Sequence, residues 1–213
     1  MKRVAGLACA LALLPGCITL SSPPPRIREY VLEYDLPATA REGLPVVLRV
    51  SLLTIAPTYA GPEIAYRTAA NRIGKHPYDR WATEPSAMAA DLLARDLASS
   101  GAYEAVVHGS SLLRSDYDLG GEVDELGERR SEGCTAHVRL RLLLRRSGRS
   151  RDRRAVLFQR PYEAEESCGG SDPAQLVAAM SRAMQRLSEK VQEDVYATIA
   201  ADRQTEPDSP AGR

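Results

Sequence analysis

The sequence predicts a single α/β domain in which a largely antiparallel sheet carries two main helices. Residues 135–146 alternate between apolar and basic or polar side chains, the two-residue period of a strand that is buried on one face. Residues 176–199 carry apolar side chains at three- and four-residue spacing, which is the period of an amphipathic helix. The 213 residues are enough for one domain of good size, and an apolar fraction of 44% is normal for a globular core.

The N-terminus predicts export and lipidation. Lys2 and Arg3 precede an uncharged apolar run that ends at residue 14, too short to span a bilayer and typical of a signal peptide. Gly16-Cys17 then resembles a bacterial lipobox, in which the cysteine becomes the lipid-bearing first residue; an ordinary signal with an accidental cysteine is the alternative. Ile18, where an aspartate would retain such a lipoprotein in the inner membrane, favours the outer membrane.

These features predict four segments: a signal peptide (residues 1–16), a lipidated tether (17–27), a domain (28–203) and a flexible tail (204–213). The tether contains three consecutive prolines at residues 23–25 and has no core-forming pattern. Ten extended residues reach about 30 Å, so the domain can stand clear of the lipid surface.

The first half of the domain is predicted to be mostly strands. We expect strands at 29–36, 46–55 (apolar on both faces and therefore central), 64–68, 71–73 and 103–108, with a loop at 74–80. Thr83-Glu84-Pro85 predicts the start of a helix, with Thr83 as a possible cap, and Ser100-Gly101 predicts its end.

The second half predicts a three-stranded antiparallel meander, residues 116–125, 135–146 and 155–165, followed by a long helix that begins at Asp172-Pro173. Pairing inward residues across the last turn opposes Leu144 with Phe158 and Leu140 with Tyr162. The same register brings Cys134 opposite Cys168. With Cys9 in the signal and Cys17 lipidated, these two remain as an even pair in an oxidising compartment, which predicts a disulfide.

The preceding hairpin is predicted to oppose Leu119 with Leu142 and Val123 with Val138 on the inner face. On the outer face the same register pairs Glu122 with Arg139 and Asp116 with Arg145, so that acidic and basic strands neutralise each other. A catalytic pair among Glu122, Asp124 and Glu125 is a weaker alternative. For the arginine-rich residues 145–154 a solvated hairpin tip is favoured, and contact with anionic lipid headgroups is the alternative.

Composition and motifs argue against several functions. Basic and acidic residues balance at 28 each, which argues against a nucleic-acid partner. Metalloprotease, nucleophile-elbow, P-loop and dinucleotide motifs are absent, and His76, His108 and His137 share no spacing. Cys134 and His137 alone fall far short of a zinc site. We therefore expect no enzyme, metal or cofactor.

A set of short motifs in a fixed order resembles one known family, the ABC-type transport auxiliary lipoproteins, which include PqiC-like outer-membrane lipoproteins. The motifs are Tyr30-Val31-Leu32, a strand ending in the Pro57 turn, Ile64-Ala65-Tyr66-Arg67-Thr68, Asn71-Arg72-Ile73, Tyr78-Asp79-Arg80-Trp81-Ala82-Thr83-Glu84-Pro85, the leucines of residues 92–97, Asp116-Tyr117-Asp118-Leu119 and Ala178-Ala179-Met180-Ser181. The Arg80-Trp81 turn is the most specific of them. The chain departs from the family pattern in its cysteine pair and its arginine-rich hairpin.

The resemblance implies an α/β domain with helices on a mixed, largely antiparallel sheet. It also implies a non-enzymatic outer-membrane component of a transenvelope lipid transport system, with its domain facing the periplasm. The partners would be an MCE-domain protein, an inner-membrane ABC permease and ATPase, and further copies in a homo-oligomer. Arg67, Arg80 and Trp81 are the candidate partner interface, with core packing favoured for Trp81. A structural or assembly adaptor of the cell envelope is the alternative function.

Overall fold

The structure is a computed structural model that describes residues 25–37, 41–109, 111–130, 133–148, 155–170 and 172–205. The predicted signal peptide, the lipidation residue Cys17 and most of the tether lie outside these ranges, as do residues 206–213 of the predicted tail. Most of the arginine-rich turn, residues 149–154, also lies outside them.

The described residues form one sheet of nine strands and two helices. The strands are β1 (Arg28–Tyr30), β2 (Leu44–Val50), β3 (Thr54–Ile55), β4 (Glu63–Ala69), β5 (Arg72–Trp81), β6 (Tyr103–His108), β7 (Tyr117–Arg129), β8 (Thr135–Arg146) and β9 (Val156–Ser167). The helices are α1 (Pro85–Ser99) and α2 (Pro173–Thr205). No helix among these residues is long and apolar enough to cross a membrane.

Strand β7 is the centre of the sheet. Along one edge it pairs in parallel with β2, β3 and β4 in turn, and along the other edge it pairs antiparallel with β8, which pairs with β9. β6 extends the sheet beyond β2, and β5 and β1 extend it beyond β4. The sheet is therefore mixed, and its longest pairings are antiparallel, as predicted.

The predicted hairpin between β8 and β9 is confirmed residue by residue. Leu144 opposes Phe158, Leu140 opposes Tyr162, and Cys134 is bonded to Cys168 through a disulfide. The Cys168 N–H also donates to the Cys134 carbonyl at 3.1 Å, so the ladder continues to the bond.

The predicted register between β7 and β8 is wrong by two residues. The structure opposes Leu119 with Leu144 and Val123 with Leu140, rather than with Leu142 and Val138. A bulge at Asp124 then adds one residue to β7, which continues to Arg129 instead of ending at 125. The two-residue error preserves which face is buried, so the inward residues were identified correctly while their partners were not.

One face of the sheet is covered by both helices. The predicted apolar stripe of α2 is fully buried: Leu176, Val177, Met180, Met184, Leu187, Val191, Val195 and Ile199. α2 begins as predicted, with the Asp172 Oδ1 accepting the Ala174 N–H at 3.1 Å. In α1, the residue before Pro85 is Glu84, which makes no side-chain cap, so the predicted Thr83 cap is wrong.

The N-terminal segment forms less strand than predicted. Only residues 28–30 pair with the sheet, in parallel with β5, and residues 31–37 then run over the helices. Tyr34 donates its hydroxyl to Asp96 Oδ2 at 2.7 Å, and Ser188 of α2 donates to the same oxygen at 2.5 Å. Asp96 is fully buried, and Arg95 pairs with its other oxygen at 2.8 Å. The alternating pattern that predicted a strand is thus satisfied by packing between α1 and α2.

Two further segments differ from their predictions. The predicted strand 46–55 is broken into β2 and β3, and Leu52 between them is exposed. In β2 only alternate residues are buried, so the strand is central but not covered equally on both faces. The predicted loop 74–80 is the continuation of β5 in the hairpin with β4.

Candidate functional site: the open face of the sheet

The sheet face opposite the helices carries most of the charged side chains that the sequence singled out. Arg67 and Arg80 are partly exposed on this face. Arg67 donates to the Tyr59 hydroxyl at 3.2 Å, and Arg80 lies 3.9 Å from Glu63. Trp81 is only 4% exposed and belongs to the core on the helix side, with Leu32 and Met88. The three residues proposed as one interface therefore lie on two faces, and packing is the role of Trp81.

The half of the open face near the hairpin tip carries a network of ion pairs. Arg141 contacts Glu122 at 2.8 Å and Asp124 at 2.6 Å, and Arg145 contacts Asp118 at 3.3 Å. The predicted neutralisation of acidic by basic strands is thus present, although Arg141 takes the position expected for Arg139. Glu122, Asp124 and Glu125 are each paired with an arginine, which favours the predicted neutralised face over the weaker alternative of a catalytic pair.

The other half of the face is built around His137, which is 1% exposed. Its Nδ1 lies 2.9 Å from Glu125 Oε2 and its Nε2 lies 2.5 Å from Glu163 Oε1. Burial disfavours the charged form of Glu125, but the hydrogen bond from Arg129 and the nearby His137 outweigh it and lower the pKa of that carboxyl. The hydrogen bond from His137 likewise lowers the pKa of Glu163.

His137, Glu163 and Glu165 offer three ligand atoms within 4.8 Å of one another, a spacing at which a metal ion can be held. However, Arg129 already contacts Glu165 at 2.5 Å and Glu125 at 3.1 Å. Arg129 thus already supplies a positive charge to Glu165, one of the three candidate ligands. The arrangement is therefore a closed ion-pair cluster, which sequence reasoning missed because its members come from three strands.

A second charged cluster lies at the disulfide end of the sheet. Glu128 is buried. Burial alone would raise the pKa of its carboxyl, but the hydrogen bonds from His76 and Arg130 outweigh this effect, and the pKa is lowered. His76 Nε2 lies 3.1 Å from Glu128, and Arg130 stacks over Tyr66 at 3.8 Å. Glu128 and Arg130 border an open groove of about 780 Å³ that is also lined by Cys134, Gly169 and Gly170.

The three histidines make different contacts. His76 and His137 face carboxylates as described, and His108 Nδ1 lies 3.0 Å from Asp91 Oδ1. Among the described residues, none of the hydrogen bonds of these histidines involves a serine or cysteine. These contacts therefore do not place a histidine beside a hydroxyl or thiol nucleophile.

Comparison with solved structures supports the fold. A crystal structure of a Xanthomonas campestris protein assigned to family DUF330 is 21% identical, with a TM-score of 0.72, and the match covers 83% of this chain and 99% of that one. A second crystal structure, of an uncharacterized protein, is 19% identical with a TM-score of 0.62 over 80% and 99% of the chains. A hypothetical protein of Chlamydia trachomatis is 14% identical with a TM-score of 0.52 over 74% and 99%.

Comparison with curated proteins finds no match. The sequence model of the family described as ABC-type transport auxiliary lipoprotein component matches residues 30–192, most of the domain. The matched region includes the Arg80-Trp81 turn, the β7–β9 meander and the first 20 residues of α2. The chain therefore belongs to the ABC-type transport auxiliary lipoprotein component family.

Proposed function

We propose that this chain is an outer-membrane lipoprotein that acts, without catalysis of its own, as an auxiliary component of an MCE/ABC-type transenvelope lipid transport system. Family membership is the observation that carries the proposal. The lipobox at Cys17 supports it from the sequence side, because a lipidated cysteine and a proline-rich tether hold a domain beside a membrane.

The contacts within the domain are consistent with a docking role. The charged side chains of the open face are engaged in ion pairs that order the surface, and a pre-ordered surface loses less side-chain entropy when a partner binds. Arg67 and Arg80 are the arginines that we assign to contact with the MCE-domain partner. Arginine is enriched among residues that dominate interface affinity.

The proposal is tested by crosslinking and affinity capture of the lipidated protein from native membranes. We expect recovery of an MCE-domain protein together with the permease and ATPase, and loss of that recovery in the double variant R67E/R80E. The double variant K190E/R203E, which reverses two exposed charges of α2, is the matched control and should retain the partners. Recovery of cell-wall or assembly machinery without an MCE protein would overturn the proposal and favour the adaptor function.

Two measurements address the anchor. Intact-mass analysis of the membrane-extracted protein should show cleavage before Cys17 and addition of lipid, and the variant C17S should lack both. Fractionation of inner and outer membranes should place the wild-type protein in the outer membrane. A mature protein that carries no lipid would contradict the assignment of Cys17.

A further inference from the structure

Residues 111–116 form a loop with an unusual outward surface. Leu112 is 100% exposed and Leu113 is 50% exposed. Arg114, the next residue, is also exposed. A single exposed leucine needs no explanation, but two adjacent ones followed by an arginine combine an apolar and a basic surface.

The loop is held in place by one arginine. Arg49 of β2 donates to the carbonyls of Gly109, Ser111 and Leu113, at 3.0, 3.1 and 2.5 Å. Its guanidinium also reaches the Ser115 hydroxyl at 3.3 Å. The two leucines are therefore exposed on a loop whose backbone is held in place by Arg49.

The acidic side chains of the loop region have partners within the protein. Asp116 Oδ2 accepts the Val47 N–H at 2.8 Å, and Asp118 pairs with Arg49 at 3.5 Å and with Arg145 at 3.3 Å. Asp116 is itself exposed, and the two leucines and Arg114 make up the rest of the outward surface beside it.

The neighbouring hairpin adds to the apolar character. The Ser147 N–H donates to the Asp116 carbonyl at 2.7 Å, so the end of β8 lies directly against the loop. Val156, which begins β9 opposite Arg145, is a further exposed apolar residue.

The loop lies at the end of the sheet remote from the tether. β1 runs antiparallel to β7, because it is parallel to β5, which is antiparallel to β4, which is parallel to β7. The chain before Arg28 therefore leaves toward the Arg129 end of β7, whereas the loop enters β7 at Tyr117. About ten residues of strand at about 3.3 Å each separate the two points, or roughly 30 Å.

We propose that Leu112, Leu113 and Arg114 form a membrane-contact loop that binds an anionic lipid surface, as a second point of attachment beside the N-terminal anchor. Apolar side chains flanked by arginine suit the boundary between acyl chains and anionic headgroups, and attachment at two points is what makes membrane binding stable. The inference is independent of the transporter role, since it rests on the loop alone. The bilayer that we assign is the one that holds the anchor, since two attachments to one bilayer reinforce each other; a response of the loop to an opposed bilayer alone would contradict the assignment.

The test uses the purified mature protein, reconstituted from detergent into vesicles. Ser111 is replaced by cysteine and labelled with a polarity-sensitive dye, since Cys134 and Cys168 are bonded to each other. Vesicles of phosphatidylcholine alone are compared with vesicles that also contain phosphatidylglycerol. Placing the anionic lipid in the protein's own vesicle, or only in added acceptor vesicles, distinguishes contact with the same bilayer from contact with an opposed one.

We expect a dye signal typical of an apolar environment only when phosphatidylglycerol is present, weakened by high salt. The variant L112E/L113E should lower this binding by about tenfold or more, because it puts charges where two exposed leucines would enter the apolar part of the bilayer. The control V31E/L36E changes two exposed apolar residues elsewhere and should bind normally. Circular dichroism and retention of the disulfide establish that each variant is folded.

Three results would overturn the proposal. One is a dye signal typical of an aqueous environment with every vesicle composition. Another is an equal loss of binding in V31E/L36E. The third is shielding of the loop only after a partner protein is added, which would make residues 111–116 a protein-docking loop.

Discussion

Removal of the Cys134–Cys168 disulfide should destabilise the domain by about 4 kcal/mol without changing its fold. The bond closes a loop with a sequence separation of 34 residues. In the chain-entropy model, a cross-link of this span restricts the unfolded chain enough to stabilise the folded state by about 4 kcal/mol at 25 °C. The fold should survive, because the β8–β9 pairing continues from Thr135 to Arg145 without the bond.

The assay is urea unfolding followed by circular dichroism, comparing the oxidised protein with the same protein after reduction. With a slope of about 2 kcal/mol per molar urea, the midpoint should fall by about 2 M. Comparing one sequence in two redox states isolates the cross-link from side-chain effects. The double variant C134S/C168S provides a second measurement and should be less stable than the reduced wild type, because Cys168 is buried and serine would place a hydroxyl there.

Three results would refute this reasoning. A loss below about 1 kcal/mol on reduction would mean that the unfolded chain gains little freedom when the bond is broken. Detection of two free thiols in the protein isolated from cells would mean that the bond is not part of the native state. A reduced protein that lacks the native circular dichroism spectrum before urea is added would show that the remaining ladder cannot hold the hairpin.

Three other perturbations have defined outcomes. D96A should destabilise the domain by about 3–5 kcal/mol, because it leaves Arg95, Tyr34 and Ser188 without their shared buried partner. Y34F removes only one of these contacts and should cost about 1 kcal/mol. Urea midpoints measure both losses. G121A should destabilise by about 2 kcal/mol, since its Cβ would lie 2.1 Å from the Arg141 carbonyl oxygen, while G120A, whose Cβ has its closest neighbour at 3.5 Å, should be nearly neutral. Because the pKa of Glu128 is lowered in the folded state, its stabilising contribution is present above the ordinary carboxyl pKa and is lost as pH falls through the lowered value. E128Q should therefore flatten the decline of the urea midpoint as the pH falls below the ordinary carboxyl pKa, and an unchanged slope would contradict this.

Local periodicity predicted most of the elements. The final helix and the meander were predictable because each has a strong period, 3.6 or 2, and because proline, glycine and aspartate mark their ends. The register of β8 with β9 followed from parity across a single turn, and it led correctly to the disulfide. For the β7–β8 pair, the same reasoning failed because parity is unchanged by a two-residue shift, and a bulge at Asp124 left no sequence signal that the reasoning used.

Most of the candidate sites were beyond sequence reasoning. Arg80 and Trp81 are adjacent in the chain, but a strand directs neighbouring side chains to opposite faces, so only one of them reaches the open surface. The His137 cluster joins residues of β7, β8 and β9, and its contact with Glu125 depends on the β7–β8 register that was mispredicted.

The sequence by itself determined the α/β class, the strands and helices of the second half, the disulfide pairing and the family resemblance. Each of these depends on residues that are close in the chain or related by a fixed period. The tertiary structure alone decided that β7 is the centre of the sheet, that residues 31–37 pack between the helices, and that Arg49 fixes the loop bearing Leu112 and Leu113. These arrangements depend on contacts between residues that are distant in the chain, and local composition and periodicity do not report the energies of such contacts.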